Sequence, residues 1–534
     1  MKNLKKYYLM MIVGIILMLT GCSDDFLDSK PKTSLTDANF YQTLEDAELA
    51  IVGCYDGLQA INQEGVAFPV ASEVFSDNCF GGTGNNDGYG YQLLDEFDLQ
   101  RSPSDQNMFE PNWINYYEAI YRVNMLLQKM DQINWEGNTA KKNSIEAEAR
   151  FLRAFFYFDM VRLWERVPLI IEPTEENVPQ SEPVDIYRQI TNDLLIAIEK
   201  GSENVSPGRV NKWAAKSLLG RVYLFYTGYY NASDLVGLVT ESEVLGHLED
   251  VIDSEKYGLV EEFKNLWPAA SATPNPENNT LESTYAGKDN EETIFAIKHN
   301  ITSDYDGNTD GNHWLVMLGL REQTFSPYGR GWGACPVDPG FYNSFEDDDE
   351  RRTASIIGFD EEGLDFDNSG QREYTGYTNK KYIPLALPDG SDVAEENGGT
   401  NFMIGQFQDY VSIRYSDVLL MAAELGSTNA QDYFDEVRER AGLDSKPVSF
   451  ENIMEERRFE FAFEGIRYWD LLRQGIETAA NAIAVSTTVL NGGVETQKVI
   501  EANNIIETRG FQMIPQNQIS LSDNVLKQND GWKN

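Results

Sequence analysis

The chain has 534 residues, 41% of them hydrophobic and 12% aromatic, which is enough apolar material for a substantial core and excludes intrinsic disorder as its class. Its 86 acidic residues against 43 lysines and arginines give a formal charge of −43, a surface that repels phosphate and argues against nucleic acid as a partner. Four cysteines in this length are too few for a disulfide scaffold.

The first residues read as a processing signal. Lys2, Lys5 and Lys6 precede an apolar run over 7–19 interrupted only by Gly14, and Leu19-Thr20-Gly21-Cys22 follows. The run is shorter than the roughly 20 residues a membrane-spanning helix needs. Leu-Thr-Gly-Cys resembles a bacterial lipobox, in which the cysteine is acylated and becomes the first residue of the mature protein. The expectation is a lipoprotein signal peptide over 1–21 and a lipidated Cys22. Each buried CH₂ of the acyl chains contributes about 0.8 kcal/mol, so several chains anchor the body permanently. Losing residues 1–21 removes three lysines and no acid. The acidic body is then disfavoured from lying flat on anionic lipid, and the anchor rather than the surface must hold it at the membrane. Ser23-Asp24-Asp25 resembles the export signal that places some lipoproteins on the cell surface. Residues 22–39, polar and containing Pro31, read as a flexible tether.

Helical periodicity begins at 41–58 (Leu44, Ala47, Ile51, Tyr55). A stretch over 71–98 then contains Ser-Asp-Asn-Cys-Phe-Gly-Gly-Thr-Gly-Asn-Asn-Asp, whose glycines and Asn/Asp residues oppose a regular helix. Helices are predicted at 111–130 and at 146–164. The second is apolar on two sides (Phe151, Phe155, Phe158 and Val161; Leu152, Phe156, Met160 and Leu163), as expected of a helix packed between neighbours. Further helices are predicted at 183–200 and from 211, the latter with Ala214, Ala215 and Gly220 where another helix can approach. Paired helices of this kind suggest a degenerate helical repeat. Over 246–405 the pattern gives way to Pro, Gly, Asn and aromatics, with one short strand at 293–297. A segment this irregular inside a folded body is usually functional. Helices return at 412–424, 430–440 and 451–473.

The ordered set of local signatures resembles the SusD/RagB family of surface nutrient-binding lipoproteins. It comprises Cys22-Ser23-Asp24-Asp25-Phe26-Leu27-Asp28, Glu148-Ala149-Arg150-Phe151-Leu152-Arg153-Ala154 with Arg162-Leu163-Trp164, Ile413-Arg414-Tyr415-Ser416-Asp417, and Val437-Arg438-Glu439-Arg440-Ala441-Gly442-Leu443. It continues through Glu456-Arg457-Arg458-Phe459-Glu460-Phe461 to Gly465-Ile466-Arg467-Tyr468-Trp469-Asp470-Leu471, and ends at Gln528-Asn529-Asp530-Gly531-Trp532, where the family often has proline at the Asp530 position. The resemblance implies a mostly α body: a tetratricopeptide-like helix-pair scaffold, with long irregular loop segments forming the ligand face. It divides the body into an N-terminal helical region over 40–245 and a C-terminal region over 246–534, the latter with a loop-rich insert (246–405) and helices over 412–474. It implies no enzyme activity. It implies a SusC-like TonB-dependent outer-membrane barrel as partner and a glycan, or in some relatives a peptide, as ligand.

The residues themselves offer little to catalysis. There are three histidines, His247, His299 and His313, and neither His-Glu-x-x-His nor Gly-x-Ser-x-Gly occurs. A glycosidase needs two carboxylates about 5–10 Å apart, but with so many acids such pairs arise by chance. No cofactor is expected apart from calcium at Asp306-Gly307-Asn308-Thr309-Asp310-Gly311, which matches the first half of a calcium loop but has Met317 where the bidentate glutamate belongs. A polar turn is the simpler reading. Asp347-Asp348-Asp349-Glu350 followed by Arg351-Arg352 reads as structural, with the arginines pairing locally. Cys79 and Cys335 both lie beside glycine-rich loops and could pair. For sugar, flat aromatic platforms beside hydrogen-bonding groups are required, and aromatics in irregular chain are the candidates. These are Phe80, Tyr89 and Tyr91 with Asp77 and Asn78; Trp267; Trp314; and Tyr328, Arg330 and Trp332. The expectation is that their loops meet around one shallow site.

Overall fold

Helices start where a side chain satisfies amides that the helix leaves unpaired. Thr43 opens the first helix, α1 (Leu44–Ala60), with a capping box: Asp46 N donates to Thr43 Oγ1 at 3.1 Å and Thr43 N to Asp46 Oδ2 at 2.9 Å. Thr240 and Glu243 repeat the device, and Asn138 and Asn211 cap two of the longest helices. The structure, a computed structural model, describes residues 40–98 and 107–532. The expected signal peptide, Cys22 and the tether over 22–39 lie outside the described residues.

After α1 come α2 (Glu110–Lys129), α3 (Thr139–Trp164), α4 (Pro183–Lys200), α5 (Lys212–Tyr230) and α6 (Glu241–Ile252). Beyond the insert follow α7 (Tyr415–Glu424), α8 (Ala430–Arg440), α9 (Phe450–Glu460) and α10 (Arg467–Leu472). From α1 to α7 each helix packs on the next, and α6 reaches across the whole insert to pack on α7. The eight helices therefore form four consecutive pairs, the tetratricopeptide-like scaffold expected. Close approach is set by small residues. A Cβ on Gly57 would stand 2.7 Å from Ala119 Cβ, and one on Gly220 would stand 2.9 Å from Leu248 and 3.3 Å from Met421. Gly220 thus lies where α5 meets both α6 and α7.

Signature residues tie these helices together. Arg153 bonds Asp193 of α4 through Nε at 2.8 Å and Asn124 of α2 through Nη1 at 2.8 Å, and Arg150 joins the same aspartate at 2.9 Å. A second buried network joins the insert to the C-terminal helices. Arg414 bonds Glu464 at 2.8 Å through two nitrogens and Glu460 at 2.9 Å, and also reaches Glu292 of the insert. Arg351, fully buried, bonds Asp349 at 2.8 Å and Glu456 at 2.6 Å. The acidic run before Arg351 is therefore structural, but of the three acids Arg351 pairs with only Asp349 is local; Glu456 and Glu460 come from α9.

The insert carries five two-stranded pairings with the C-terminal hairpin included. The strand expected at 293–297 forms as β1 (Thr293–Ile297) and pairs antiparallel with β4 (Tyr410–Arg414). Between them, β2 (Leu320–Arg321) and β3 (Arg330–Gly331) pair in parallel. After α10, β5 (Val485–Asn491) and β6 (Val494–Ile500) form a hairpin whose turn, Gly492-Gly493, has φ of 57° and 79°, the left-handed values such a turn requires. One contiguous core contains Ile51, Phe295 and Ile514, so no apolar boundary separates the two expected regions.

Four sequence expectations change. The helix expected from 146 begins at Thr139, because its first two turns face solvent and show no apolar period while Asn138 supplies the cap. The division expected at 245/246 falls inside α6; Gly246 touches nothing on the helix's outer side, while Val244, Leu248 and Val251 are buried. Residues 412–414 are strand, since every residue from Tyr410 to Arg414 is buried. The helix expected over 451–473 breaks after Glu460: Phe463 and Gly465 take φ of 64° and 76°, and a Cβ on Gly465 would meet Pro69 Cα at 2.9 Å.

Candidate functional site

Two glycine-rich loops build the walls of an open basin of about 750 Å³. In the first, a Cβ on Gly81 would lie 2.1 Å from Tyr91 O and one on Gly84 would lie 2.1 Å from Arg321 Cζ, so the loop folds this tightly only with glycine. Arg372 fixes the segment after it. Its guanidinium donates to the carbonyls of Asn85 at 2.8 Å, Asp87 at 2.8 Å and Gly88 at 2.9 Å, and lies 4.2 Å from the Tyr89 ring centroid. Asp87 faces the basin and pairs with Arg321 Nη1 at 2.9 Å.

The second wall is the Gly329-Arg330-Gly331-Trp332-Gly333 stretch. A Cβ on Gly331 would fall 2.1 Å from Val316 O, and Trp332 N donates to the same carbonyl at 2.9 Å. Flattened onto the segment 316–319, the backbone leaves Arg330 and Trp332 to project. The Trp332 ring meets His313 edge-on at 5.9 Å, and the Arg330 guanidinium lies 4.1 Å from the Phe402 ring centroid. Tyr91 completes the lining, its hydroxyl 2.7 Å from Met317 Sδ, and burial pushes that phenol above its ordinary range. The basin thus offers the aromatic side chains of Tyr91, Trp332 and Phe402 among Asp87, Arg321, Glu322 and Arg330.

Of the residues singled out from sequence, Tyr91, Arg330 and Trp332 line this basin, and Tyr89 stands beside it, 55% exposed against Arg372. The others do not reach it, and the expectation that they face a ligand is corrected by burial. Trp314 is 1% exposed, packed on Tyr382 at 5.2 Å and Tyr410 at 5.6 Å. Trp267 is 1% exposed beneath Lys381 and Tyr382. Phe80 is in the core. Tyr328 belongs to a small cluster with Ile357 and Ile383 and donates to Glu362 at 2.7 Å. Asp77 is clamped by Arg467 at 2.8 and 2.9 Å; burial acts to raise its pKa, but Arg467 and Arg458 prevail and hold it below the ordinary carboxylate range. Asn78 is buried and accepts from Arg458 at 3.0 Å. Sequence reading missed Asp87, Arg321, Glu322, Met108 and Phe402. The last was findable by the rule already in use, since Gly398-Gly399-Thr400-Asn401 marks it as an aromatic in irregular chain.

The Asp306–Asp310 segment forms a turn organised by Asp304, whose Oδ1 accepts from Asp306 N at 2.8 Å and Asn308 N at 3.1 Å. Asn308 Oδ1 accepts from Asp310 N at 2.9 Å, and Asp310 Oδ2 accepts from Asn300 and Thr302 at 3.1 Å each. Among the described residues no group of three or more His, Cys, Asp or Glu is arranged to hold a metal ion. Cys79 and Cys335 are free, buried thiols; burial pushes Cys79 well up, and a hydrogen bond with Cys335 adds to the shift.

The fold and the two glycine-rich walls define a helix-pair scaffold that presents a loop-built surface basin. Comparison with known proteins says which family uses it. Residues 361–532 match the SusD family, and residues 25–224 match the family described as starch-binding associating with outer membrane. The chain belongs to the SusD/RagB family. It is 26% identical over 505 residues to a SusD-like protein of Bacteroides ovatus, covering 88% of this chain and 83% of that one. It superimposes on a laminarin binding SusD-like protein with a TM-score of 0.72 at 27% identity, over 92% of this chain and 100% of that one. Surface glycan-binding protein A from Bacteroides thetaiotaomicron, solved with laminarihexaose, shares the fold at a TM-score of 0.74 and 22% identity, over 91% of this chain and 100% of that one.

Proposed function

We propose that this protein is a non-catalytic glycan-binding lipoprotein of the outer membrane that captures an oligo- or polysaccharide in the basin and passes it to a SusC-like TonB-dependent barrel. The observation that carries the reading is the grouping of Tyr91, Trp332 and Phe402 around Asp87 and Arg330 in one open basin. Apolar ring faces suit the C–H faces of sugars, while the charged groups fix hydroxyl orientation. Relatives named for laminarin and glycan binding support it. The lipid on Cys22 keeps the body at the membrane, and the tether over 22–39 lets it swing as a lid; Ser23-Asp24-Asp25 directs it to the cell surface.

Calorimetric titration of the chain from residue 22, with Cys22→Ala, against a panel of oligosaccharides and peptides tests the reading. Saturable heat with at least one glycan class is expected; heat with peptides only would move the protein to the peptide-binding members, and product release would make it a glycosidase. In cells, Cys22→Ala at native expression abolishes glycan uptake while the purified protein still binds.

A further inference from the structure

The basin contains an arginine that no acid among the described residues neutralises, in a chain where acids outnumber bases two to one. Both acids that line the basin are already engaged by Arg321. Asp87 Oδ2 lies 2.9 Å from its Nη1, and Glu322 Oε1 lies 3.3 Å from its Nη2. Among the described residues Arg330 makes no ion pair. It is exposed, its backbone is fixed in the β2–β3 pairing, and its guanidinium rests 4.1 Å from the Phe402 ring centroid. A third cation, Arg372, stands behind Tyr89, bonded only to backbone carbonyls. Of the charged side chains that line the basin, Asp87 and Glu322 are both matched to Arg321, and Arg330 is the one left without a partner among the described residues.

An unpaired guanidinium held over an aromatic face is preorganised for a planar or tetrahedral oxyanion, because its paired N–H groups match two oxygens at once. At physiological ionic strength charges farther apart than about 8 Å are largely screened, so the distant acids of the surface do not cancel a contact made inside the basin.

We propose, resting on the glycan-binding reading above, that Arg330 forms an anion subsite and that the glycan carries acidic substituents, either uronate carboxylates or sulfate esters. Trp332 and Tyr91 hold the sugar ring, and Arg330 selects the charged substituent.

The test uses the chain from residue 22 with Cys22→Ala, which keeps every described residue. Three probes are titrated at matched length: oligogalacturonate for the carboxylate, a sulfated galactan oligosaccharide for the sulfate ester, and uncharged laminarihexaose. The expected result is tighter binding of one acidic probe than of laminarihexaose. Arg330→Ala weakens that acidic probe at least about tenfold more than it weakens laminarihexaose, whereas Arg330→Lys recovers part of the loss. Which acidic probe responds identifies the substituent. Laminarihexaose binding as tightly as both acidic probes, or Arg330→Ala weakening all three equally, overturns the subsite and leaves glycan binding standing. No heat from any glycan overturns both. Arg330 is exposed, so its variants fold, and unchanged melting temperatures verify this.

Discussion

At the residue scale the two tryptophans Trp314 and Trp332 separate stability from binding. Trp314 is enclosed by Tyr382 and Tyr410, and Trp332 is half-buried on the basin wall. Trp314→Ala empties a core site and costs about 3–5 kcal/mol in denaturant unfolding, with the affinity of the folded protein unchanged. Trp332→Ala costs much less stability but removes a sugar platform, so glycan affinity falls about tenfold, a size typical of a lost binding aromatic. If the two variants lose affinity equally, the basin is not the site. From sequence alone the two residues look alike: each is a tryptophan in irregular chain a few residues from glycines. What distinguishes them is a neighbour far along the chain. Tyr382 and Tyr410 cover Trp314, and no local pattern announces that.

At the element scale the signatures between Arg414 and Asp470 serve to join elements. Arg414, at the N-terminus of α7, satisfies Glu460 and Glu464 from the α9–α10 segment and Glu292 from the insert. Arg440 adds Glu292 at 2.9 Å and reaches Glu460 as well. Removing one partner from such a network strands buried carboxylates. Arg414→Ala is expected to lower unfolding free energy by about 3–5 kcal/mol in urea titration, with Glu464→Gln milder. A loss under about 1 kcal/mol would mean that water replaces the guanidinium. The motifs were visible in sequence as helix segments, yet the break after Glu460 was not. Phe463 and Gly465 turn the chain so that Gly465 N can donate to Glu73 at 2.8 Å, a residue near the other end of the protein. The hairpin of β5 and β6 escaped the sequence reading as well, although Asn491-Gly492-Gly493-Val494 is a two-residue turn signal between alternating strands.

For the whole molecule, buried carboxylates of two kinds set the response to pH. Burial raises the Glu73 carboxyl to about 7 from its ordinary 4.5. Between those values the folded state keeps a proton that the unfolded chain releases, so stability falls as pH rises from 4.5 to 7 and is then level. Asp417 is the opposite case. Burial would raise it, but Arg221 and Arg457 outweigh burial and hold it at about 2 against an ordinary 3.8. Its contribution is present above pH 3.8 and is lost as pH falls toward 2. Asp77 and Asp470 are likewise held low by arginines against burial. Thermal melts across this range should peak near pH 5, with a shallow decline toward neutrality and a steep one below pH 4. Burial raises Asp159 to about 6 as well, so Glu73→Gln should lessen the decline on the neutral side without abolishing it and leave the acid side unchanged; a decline unaltered by Glu73→Gln would contradict this assignment.

Sequence by itself determined the helical scaffold, the approximate limits of most of its long helices, the family, and the two glycine-rich stretches that carry the basin. These are local properties: period, caps, turn residues and the size of a side chain at a crossing. Only the tertiary structure decided which aromatics reach solvent, which arginines are consumed in ion pairs, and that α6 continues the helix array onto α7 across the insert. Burial and pairing are settled by residues hundreds of positions apart. Arg321, Arg330 and Arg372 are alike as letters, and they differ only in what the fold sets beside them: two acids, an aromatic ring, and a ring of carbonyls.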